Sequence, residues 1–312
     1  MKKILEVSHL QKSYRENKAV NDLSFDVYEG EILGLLGPNG AGKSTTISIL
    51  STLLKSDGGN ISAFDLSLDS QTNKIKSMLG IVPQEISIYE DISAFKNVAF
   101  FASLYDIKKK DLNQRVNEAL SFVGLEDKKN DKPKTFSGGM KRRLNIACAI
   151  AHHPKLLILD EPTVGIDPQS RNHILSSLKK LKEMGTTIIY TTHYMEEVEE
   201  ISDRIVIMDK GTKIAEGSLK ELLEKYKDTL IYTLYTDGFA MDIISELEAI
   251  DGVESVEIKD EALQITVSKN SDTLDKIILL FVKEDCHITK METEEGNLEM
   301  VFLELTGKKL RD

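Results

Sequence analysis

The chain has 312 residues, 41% hydrophobic and 29% charged, with a formal net charge of −11. That composition suits a globular protein with room for one large and one small domain, and its longest apolar runs, such as IILLFV (277–282), fall far short of the roughly 20 residues that span a bilayer. The opening MKKILEVSHL is too short in apolar residues for a secretory signal, and Cys148 and Cys286, without metal-ligand spacing, are expected to be buried, reduced thiols of a cytosolic protein. The charge is uneven: residues 228–312 hold 20 acidic and 8 basic residues, a net of −12, which leaves +1 for residues 1–227. The break places a domain boundary near 222–230 and argues against a tail that grips nucleic acid, which calls for a basic surface.

Along the first two-thirds, short apolar strands alternate with helical stretches. EILGLLG (31–37) reads as a strand running into GPNGAGKS (37–44), which matches G-x-x-x-x-G-K-[ST] between a strand and a helix. In such a loop Gly37, Asn39, Gly40, Ala41 and Gly42 turn successive N–H groups onto phosphates. Lys43 adds a mobile cation, Ser44 an oxygen for Mg²⁺, and Thr45 reaches a second phosphate from the same turn. Further along, KPKTFSGGMKRR (132–143) puts Ser137, Gly138 and Gly139 at the start of a helix, where free N–H groups favour an anion. Lys141, Arg142 and Arg143 crowd the same end, where cations are mildly unfavourable, as if a multiply charged anion arrives there. His152 and His153 end that helix, where polar or cationic groups suit the dipole, and no third ligand accompanies them.

LLILDEP (156–162) delivers Asp160 and Glu161 to the end of a buried strand. Neighbouring residues there point opposite ways, so one carboxylate can serve a metal and the other an attacking water; two solvated acids at a loop start is the plainer alternative. LKKLKEMG (178–185) reads as a solvated helix face stopping at Gly185, TTIIYTTH (186–193) as another buried strand, and RIVIMDKGTKIAEG (204–217) as a hairpin. SLKELLEKY (218–226) opens a connecting helix with a capping box.

The tail changes pattern: a strand at LIYTLY (230–235), a helix with Ile243, Ile244, Leu247 and Ile250 on one face, strands VESVEIK (253–259) and ALQITVS (262–268), a helix marked by Leu274, Ile277, Ile278, Phe281 and Val282, and a strand through HITKM (287–291). The order βαββαβ predicts a ferredoxin-like α+β domain, followed by a helix in NLEMVFLELTG capped at Gly307.

The first two motifs are common to kinases, GTPases and many ATPases; FSGGM (136–140) narrows the choice, because it resembles the LSGGQ signature of the ATP-binding-cassette (ABC) ATPases, with Phe136 for Leu and Met140 for Gln. Other landmarks stand in that family's order: Tyr14 in QKSY resembles the aromatic that stacks on adenine, Gln84 in IVPQE the Q-loop glutamine, Asp167 in VGID the D-loop acid, and His193 the switch histidine. The similarity covers about residues 3–222. It implies a P-loop NTPase of α/β class with a helical subdomain at about 85–150, so that residues 1–222 form the nucleotide-binding domain and 223–312 the linker helix and ferredoxin-like domain.

The resemblance further implies ATP and Mg²⁺ as cofactors. Asp160 would hold Mg²⁺ through water together with Ser44 and Gln84, Glu161 would orient or deprotonate the attacking water, and His193 would contact the γ-phosphate. Ser137, Gly138 and Gly139 would close over the γ-phosphate held by a second copy, which answers the question of their anion. The implied partners are a second ATPase subunit, expected as a homodimer, and a separate transmembrane permease, with this chain cytoplasmic and peripheral on the cytoplasmic face of the cell membrane. EISIYEDISAFKNVAFFASLY (85–105) corresponds to the groove that receives a coupling helix, although part of its apolar content suits an ordinary subdomain core. FLELTGKKLRD resembles the ending of ATPase subunits of ABC-2-type exporters of the drug-resistance and sodium-efflux-like group. Export is therefore expected, against an importer ATPase with a ligand-sensing tail or a soluble ABC protein acting on ribosomes or DNA.

Overall fold

The computed structural model describes residues 2–224, 229–238, 242–259, 262–269, 272–295 and 297–306. They divide into two compact units, one ending at Leu219 and the other beginning at Lys220.

The first unit opens with two long strands, β1 (Lys3–Tyr14) and β2 (Asn17–Tyr28), paired antiparallel. Leu5, Val7 and Leu10 of β1 and Leu23, Phe25 and Val27 of β2 are buried, the near-alternation of a sheet with one face on a core. β4 (Gly58–Ala63) and the short β5 (Leu66–Ser67) extend this sheet in the order β2-β1-β4-β5. The sequence reading contained no such sheet. Register shifts interrupt β1 at Leu5, Leu10 and Lys12, and each shift breaks the period-two signal that would have revealed it.

The second sheet is built from β3 (Ile32–Leu36), β6 (Leu79–Val82), β7 (Leu156–Asp160), β8 (Thr187–Thr192), β9 (Arg204–Asp209) and β10 (Thr212–Gly217), in the order β10-β9-β3-β8-β7-β6. It is parallel throughout except for the β9–β10 hairpin. Its strands are continuously apolar because both faces are covered. Leu157, Leu159, Ile188 and Tyr190 face a core shared with α3 (Ala94–Ser103), α4 (Lys109–Phe122), α5 (Gly138–Ile150) and α6 (Pro168–Glu183). Leu156, Ile158 and Ile189 turn the other way, onto β1, β2 and α1 (Lys43–Leu50). Two further short helices are α2 (Thr72–Lys76) and α7 (Met195–Ile201). Lys179 and Lys182 of α6 pair with Glu200 and Asp203, so part of the predicted solvated face is tied down.

The second unit holds α8 (Leu219–Leu223), β11 (Thr229–Thr236), α9 (Asp242–Glu248), β12 (Val253–Lys259), β13 (Ala262–Ser268), α10 (Thr273–Lys283), β14 (Ile288–Glu295) and α11 (Leu298–Thr306), α8 straddling its beginning. The four strands form one antiparallel sheet in the order β12-β13-β11-β14. Leu263, Ile265 and Val267 of β13 meet Ile243, Leu247, Ile277 and Phe281 of the helices in its core. Leu298, Val301 and Phe302 of α11 are buried; the cap expected at Gly307 lies outside the described residues.

Three expectations need correction. Cys148 is buried and its thiol is pushed up by desolvation, whereas Cys286 is only half-buried and its Sγ donates to the Gly238 carbonyl. His152, expected as a polar or cationic group suited to the helix dipole, is instead a half-buried ring. Its ring stacks on Tyr105 at 3.5 Å, Nε2 lies 2.9 Å from the Leu79 carbonyl, and burial depresses its pKa to about 4. Lys141, Arg142 and Arg143 do not converge on one anion site, because successive helix positions diverge by about 100°. Lys141 pairs with Glu90, Arg142 donates to the carbonyls of Pro83 and Gln84, and Arg143 donates to those of Val123 and Gly124.

His152 links the fold to pH. Between its ordinary value of 6.5 and its folded value of about 4, the unfolded chain binds the proton and the native chain does not, so stability falls as pH falls through that window. Replacing it in His152→Phe is expected to flatten the dependence of the urea midpoint on pH between 6.5 and 4; an unchanged slope counts against a buried neutral imidazole.

Candidate active site

The site lies at the carboxyl ends of β3, β7 and β8, the edge where parallel sheets present ligand-binding loops. After β3 the chain turns through residues 37–42 and enters α1 at Lys43. Gly42 caps the helix in the left-handed region, at φ +98°, and a Cβ there would stand 2.3 Å from the Ala19 carbonyl oxygen. Only glycine satisfies both conditions. Ala41 is buried and its carbonyl accepts from Gly211 N, while Asn39 and Gly40 lie exposed at the tip. No side chain caps α1, and its first turn carries no acid, so its leading N–H groups face outward from an uncompensated dipole.

Lys43 is 4% exposed. Its Nζ donates to the carbonyls of Gly37 (2.6 Å) and Pro38 (3.2 Å) and lies 3.5 Å from Glu161 Oε1. Burial lowers its pKa, and the Glu161 carboxylate opposes that shift. The last residue of β7, Asp160, accepts at Oδ1 from Thr191 Oγ1 (2.7 Å) and from Ser44 Oγ (3.3 Å). Glu161 turns the opposite way. Its φ of +45° is unusual for a residue other than glycine and is held by a three-centre bond that its backbone N–H donates to the Thr191 carbonyl and the Thr191 hydroxyl oxygen. Around its side chain stand Lys43, Gln84 (Nε2 to Oε2, 3.4 Å) and His193 (Nδ1 to Oε2, 3.4 Å).

Those oxygen donors suit a hard divalent cation. Ser44 Oγ and Asp160 Oδ1 are neighbours, and Gln84 is within reach of the same carboxylate pair, leaving most positions for water and phosphate as Mg²⁺ prefers. His193 Nδ1 is buried without a hydrogen-bond partner, an orphan group that a phosphate oxygen would satisfy. Residues present and groups expected therefore fit. Thr45 is half-buried on α1 beside Ser44, and Tyr14, half exposed, ends the β1–β2 hairpin opposite Asn17. Ala19 of that hairpin abuts Gly42, so the hairpin tip borders the loop.

A second cluster forms elsewhere in the same unit. Ser137 caps α5 through its hydroxyl, which accepts from Met140 N. A Cβ on Gly139 would fall 2.1 Å from Ser170 Oγ and 3.3 Å from Asp167 Oδ2, so glycine lets α5 press against the start of α6. Asp167 caps α6 by accepting from Ser170 N, and those bonds hold its carboxyl below the usual range. Among the described residues no hydrogen bond or ion pair joins residues 137–139 to the loop 37–45. The structure thus gathers Lys43, Ser44, Gln84, Asp160, Glu161 and His193 at one place, and Ser137, Gly138, Gly139 and Asp167 at another.

Sequence reasoning gave Arg142 the wrong role. It is 3% exposed, and its guanidinium grips the backbone of Pro83 and Gln84, which anchors the Gln84 loop to α5. The signal was present: positions 139, 142, 146 and 149 form one inward stripe of the helix.

A parallel sheet, a glycine loop with a buried lysine, and paired carboxylates at the strand ends define a P-loop nucleotide-hydrolysing protein. The sequence model of the family described as ABC transporter matches residues 20–164. A linearmycin resistance ATP-binding protein of Bacillus subtilis is 42% identical over 99% of this chain and the whole of the relative, and a Nod factor export ATP-binding protein of Cupriavidus pinatubonensis is 35% identical over 99% of this chain and 92% of the relative. An ATP-binding cassette solved as a dimer in a post-hydrolysis state with ADP and Pi superposes with a TM-score of 0.64 at 27% identity, covering 69% of this chain and 99% of that one. The chain belongs to the ABC transporter family and is one of its ATP-binding, ATP-hydrolysing subunits.

Gly42→Ala tests the geometry of the loop. Strain at positive φ and the clash with Ala19 are each worth about 1–3 kcal/mol. Calorimetric titration is expected to show ATP affinity lowered by about tenfold or more; wild-type affinity would mean the loop is not so constrained.

Proposed function

We propose that this chain is the ATPase subunit of an ABC-2-type exporter, working as a head-to-tail homodimer on a separate permease at the cytoplasmic face of the membrane. The observation that carries the reading is Glu161, fixed out of water between Lys43, Gln84 and His193. Export is supported by the two relatives named for resistance and for Nod factor export, each matched along almost the whole chain. No helix among the described residues is long and apolar enough to cross a membrane, which agrees with a permease on another polypeptide.

In this reading residues 1–222 form the nucleotide-binding domain, with a helical subdomain at about 85–150. Tyr14 stacks on adenine. Gly37, Asn39, Gly40, Ala41 and Gly42 direct N–H groups at the phosphates, joined by Lys43 and Thr45. Ser44, Gln84 and, through water, Asp160 would hold Mg²⁺, which when bound would supply positive charge to the phosphate oxygens. Glu161 accepts a proton from, or orients, the attacking water, and Lys43, Gln84 and His193 hold its side chain in place. His193 donates to the γ-phosphate, which satisfies its orphan nitrogen.

Ser137, Gly138 and Gly139 bind the γ-phosphate of the partner subunit's nucleotide, and Asp167 lies beside that contact. The absence, among the described residues, of any hydrogen bond or ion pair from residues 137–139 to the same chain's loop 37–45 is compatible with action in trans, and the dimeric post-hydrolysis cassette supports it. ATP binding then closes the dimer, and loss of the γ-phosphate reopens it.

For the permease contact, the exposed Leu53, Tyr89, Phe100 and Leu104 are suited to receive an apolar helix, and a cavity of about 570 Å³ lies beside Leu53, Phe101 and Leu104. Asn97 stiffens this surface by bonding Tyr89, Ile92 and Ser93. Residues 223–312 supply a linker helix and a ferredoxin-like domain. The antiparallel order β14-β11-β13-β12 and the βαββαβ sequence of elements support that fold, and steadying or regulating the ATPase dimer is its proposed role.

Glu161→Gln is expected to bind ATP normally, lose turnover by about a thousandfold, and collect as a dimer in size-exclusion chromatography with ATP. A monomer at saturating ATP argues against the closed state. Mixing Lys43→Ala with Ser137→Arg, each inactive alone, should restore part of the ATPase rate, since each mixed dimer keeps one intact composite site. Failure of rescue in demonstrated mixed dimers rules out a signature acting in trans.

A further inference from the structure

Behind the site sits a carboxylate that no step above uses. Glu197, on α7, is fully buried. Its Oε2 accepts three hydroxyl protons, from Tyr190 (2.7 Å), Thr163 (2.9 Å) and Thr192 (2.9 Å). Its Oε1 lies 3.1 Å from Arg171 Nε. Burying a carboxylate costs several kcal/mol unless it is paired and hydrogen-bonded; here three donors meet Oε2, while Oε1 makes no hydrogen bond and is compensated by the charge of the Arg171 guanidinium. The low dielectric around this group is also apparent at Tyr190, whose phenol is pushed well above its ordinary pKa by burial and by the neighbouring carboxylate.

The partners come from different loops. Thr163 stands two residues after Glu161, on the loop that leaves β7. Thr192 immediately precedes His193, and while its hydroxyl donates to Glu197 it accepts from Tyr194 N at 3.0 Å. Arg171 is on the first turns of α6, which Asp167 caps, and its guanidinium lies 5.9 Å from the centroid of the Tyr194 ring. One buried oxygen pair thus touches the segments that follow Glu161, that carry His193 and that follow Asp167.

We propose that Glu197 is a positioning residue for ATP hydrolysis, which holds the Glu161 loop and the His193 loop in register through Thr163 and Thr192. The inference rests on the reading of Glu161 and His193 as the hydrolytic pair. A neutral side chain at 197 cannot take three hydroxyl protons on one oxygen while compensating Arg171, so the two loops lose their common anchor and the Glu161–His193 spacing of 3.4 Å drifts. Displacements of about 1 Å lower the rate, while the loop 37–42 and Lys43, which this anchor does not touch, keep their hold on the nucleotide.

The experiment measures kcat, ATP affinity and melting midpoint for Glu197→Gln, Thr192→Val and Thr192→Ser in the full chain, with Glu161→Gln in parallel. Glu197→Gln and Thr192→Val are expected to lose about ten- to a hundredfold in kcat, with ATP affinity unchanged and the protein folded at the assay temperature. Thr192→Ser, which keeps the hydroxyl, is expected to recover most of that rate. Equal rates for the valine and serine variants, or a kcat that falls only in step with the folded fraction, overturn the proposal and leave a purely structural staple. If Glu197→Gln does not fold, the Thr192 pair still decides. Wild-type turnover in Glu161→Gln defeats the underlying assignment instead, whatever the Glu197 result.

Discussion

A cation and a carboxylate are kept together at the edge of a parallel sheet, in a place from which water is nearly excluded. Lys43 and Glu161 are 4% and 6% exposed, and neither is tolerable there alone. Because the local dielectric is low, the field each exerts on a phosphate or on a nearby water is far greater than at the surface. The pair requires a deep loop, a strand that ends at the right height and a backbone that bends sharply at its tip. The φ of +45° at Glu161 is the local strain that this demands, and the three-centre bond its N–H donates to two Thr191 oxygens sustains it.

The rest of the first unit holds that arrangement rigid. β7 presents Leu157 and Leu159 to one core and Leu156 and Ile158 to the other, so packing on both faces fixes how far Asp160 and Glu161 protrude. Arg142 carries the constraint to the Gln84 loop, since a guanidinium that spans two carbonyls leaves that loop little freedom relative to α5. The same helix begins at Ser137, so a contact made at its start by another molecule is transmitted to Gln84 through one rigid element. One helix thereby links the Ser137–Gly139 stretch to the Gln84 loop, which in turn contacts Glu161.

Much of this was legible because it is local. The loop 37–44 is a phosphate cradle by spacing alone, β7 and β8 announce themselves as buried strands, and the alternation Leu263, Ile265, Val267 marks β13. The antiparallel sheet of β1 and β2 was not legible, because bulges blur its period and its further partner, β4, lies well downstream in the chain. The fates of Lys141, Arg142 and Arg143 were misjudged for a related reason. Three basic residues in a row look like one patch, yet a helix points them at three different neighbours, Glu90, the Gln84 loop and the Val123–Gly124 turn. His152, an exposed helix end by position, is a stacked and neutral ring because Tyr105 from a distant helix end covers it.

By itself the sequence determined the chemistry on offer: which residues can cradle a phosphate, which carboxylates close a strand, where helices begin and where the tail takes over. Those properties follow from nearest-neighbour geometry, which the order of residues specifies directly. Only the tertiary structure decided which charged groups are buried and what compensates them, as with Lys43 against Glu161, Arg142 against two carbonyls and Glu197 against four side chains. Desolvation and its compensation depend on groups distant in sequence arriving within about 3 Å, and the chain meets that condition only once it has folded.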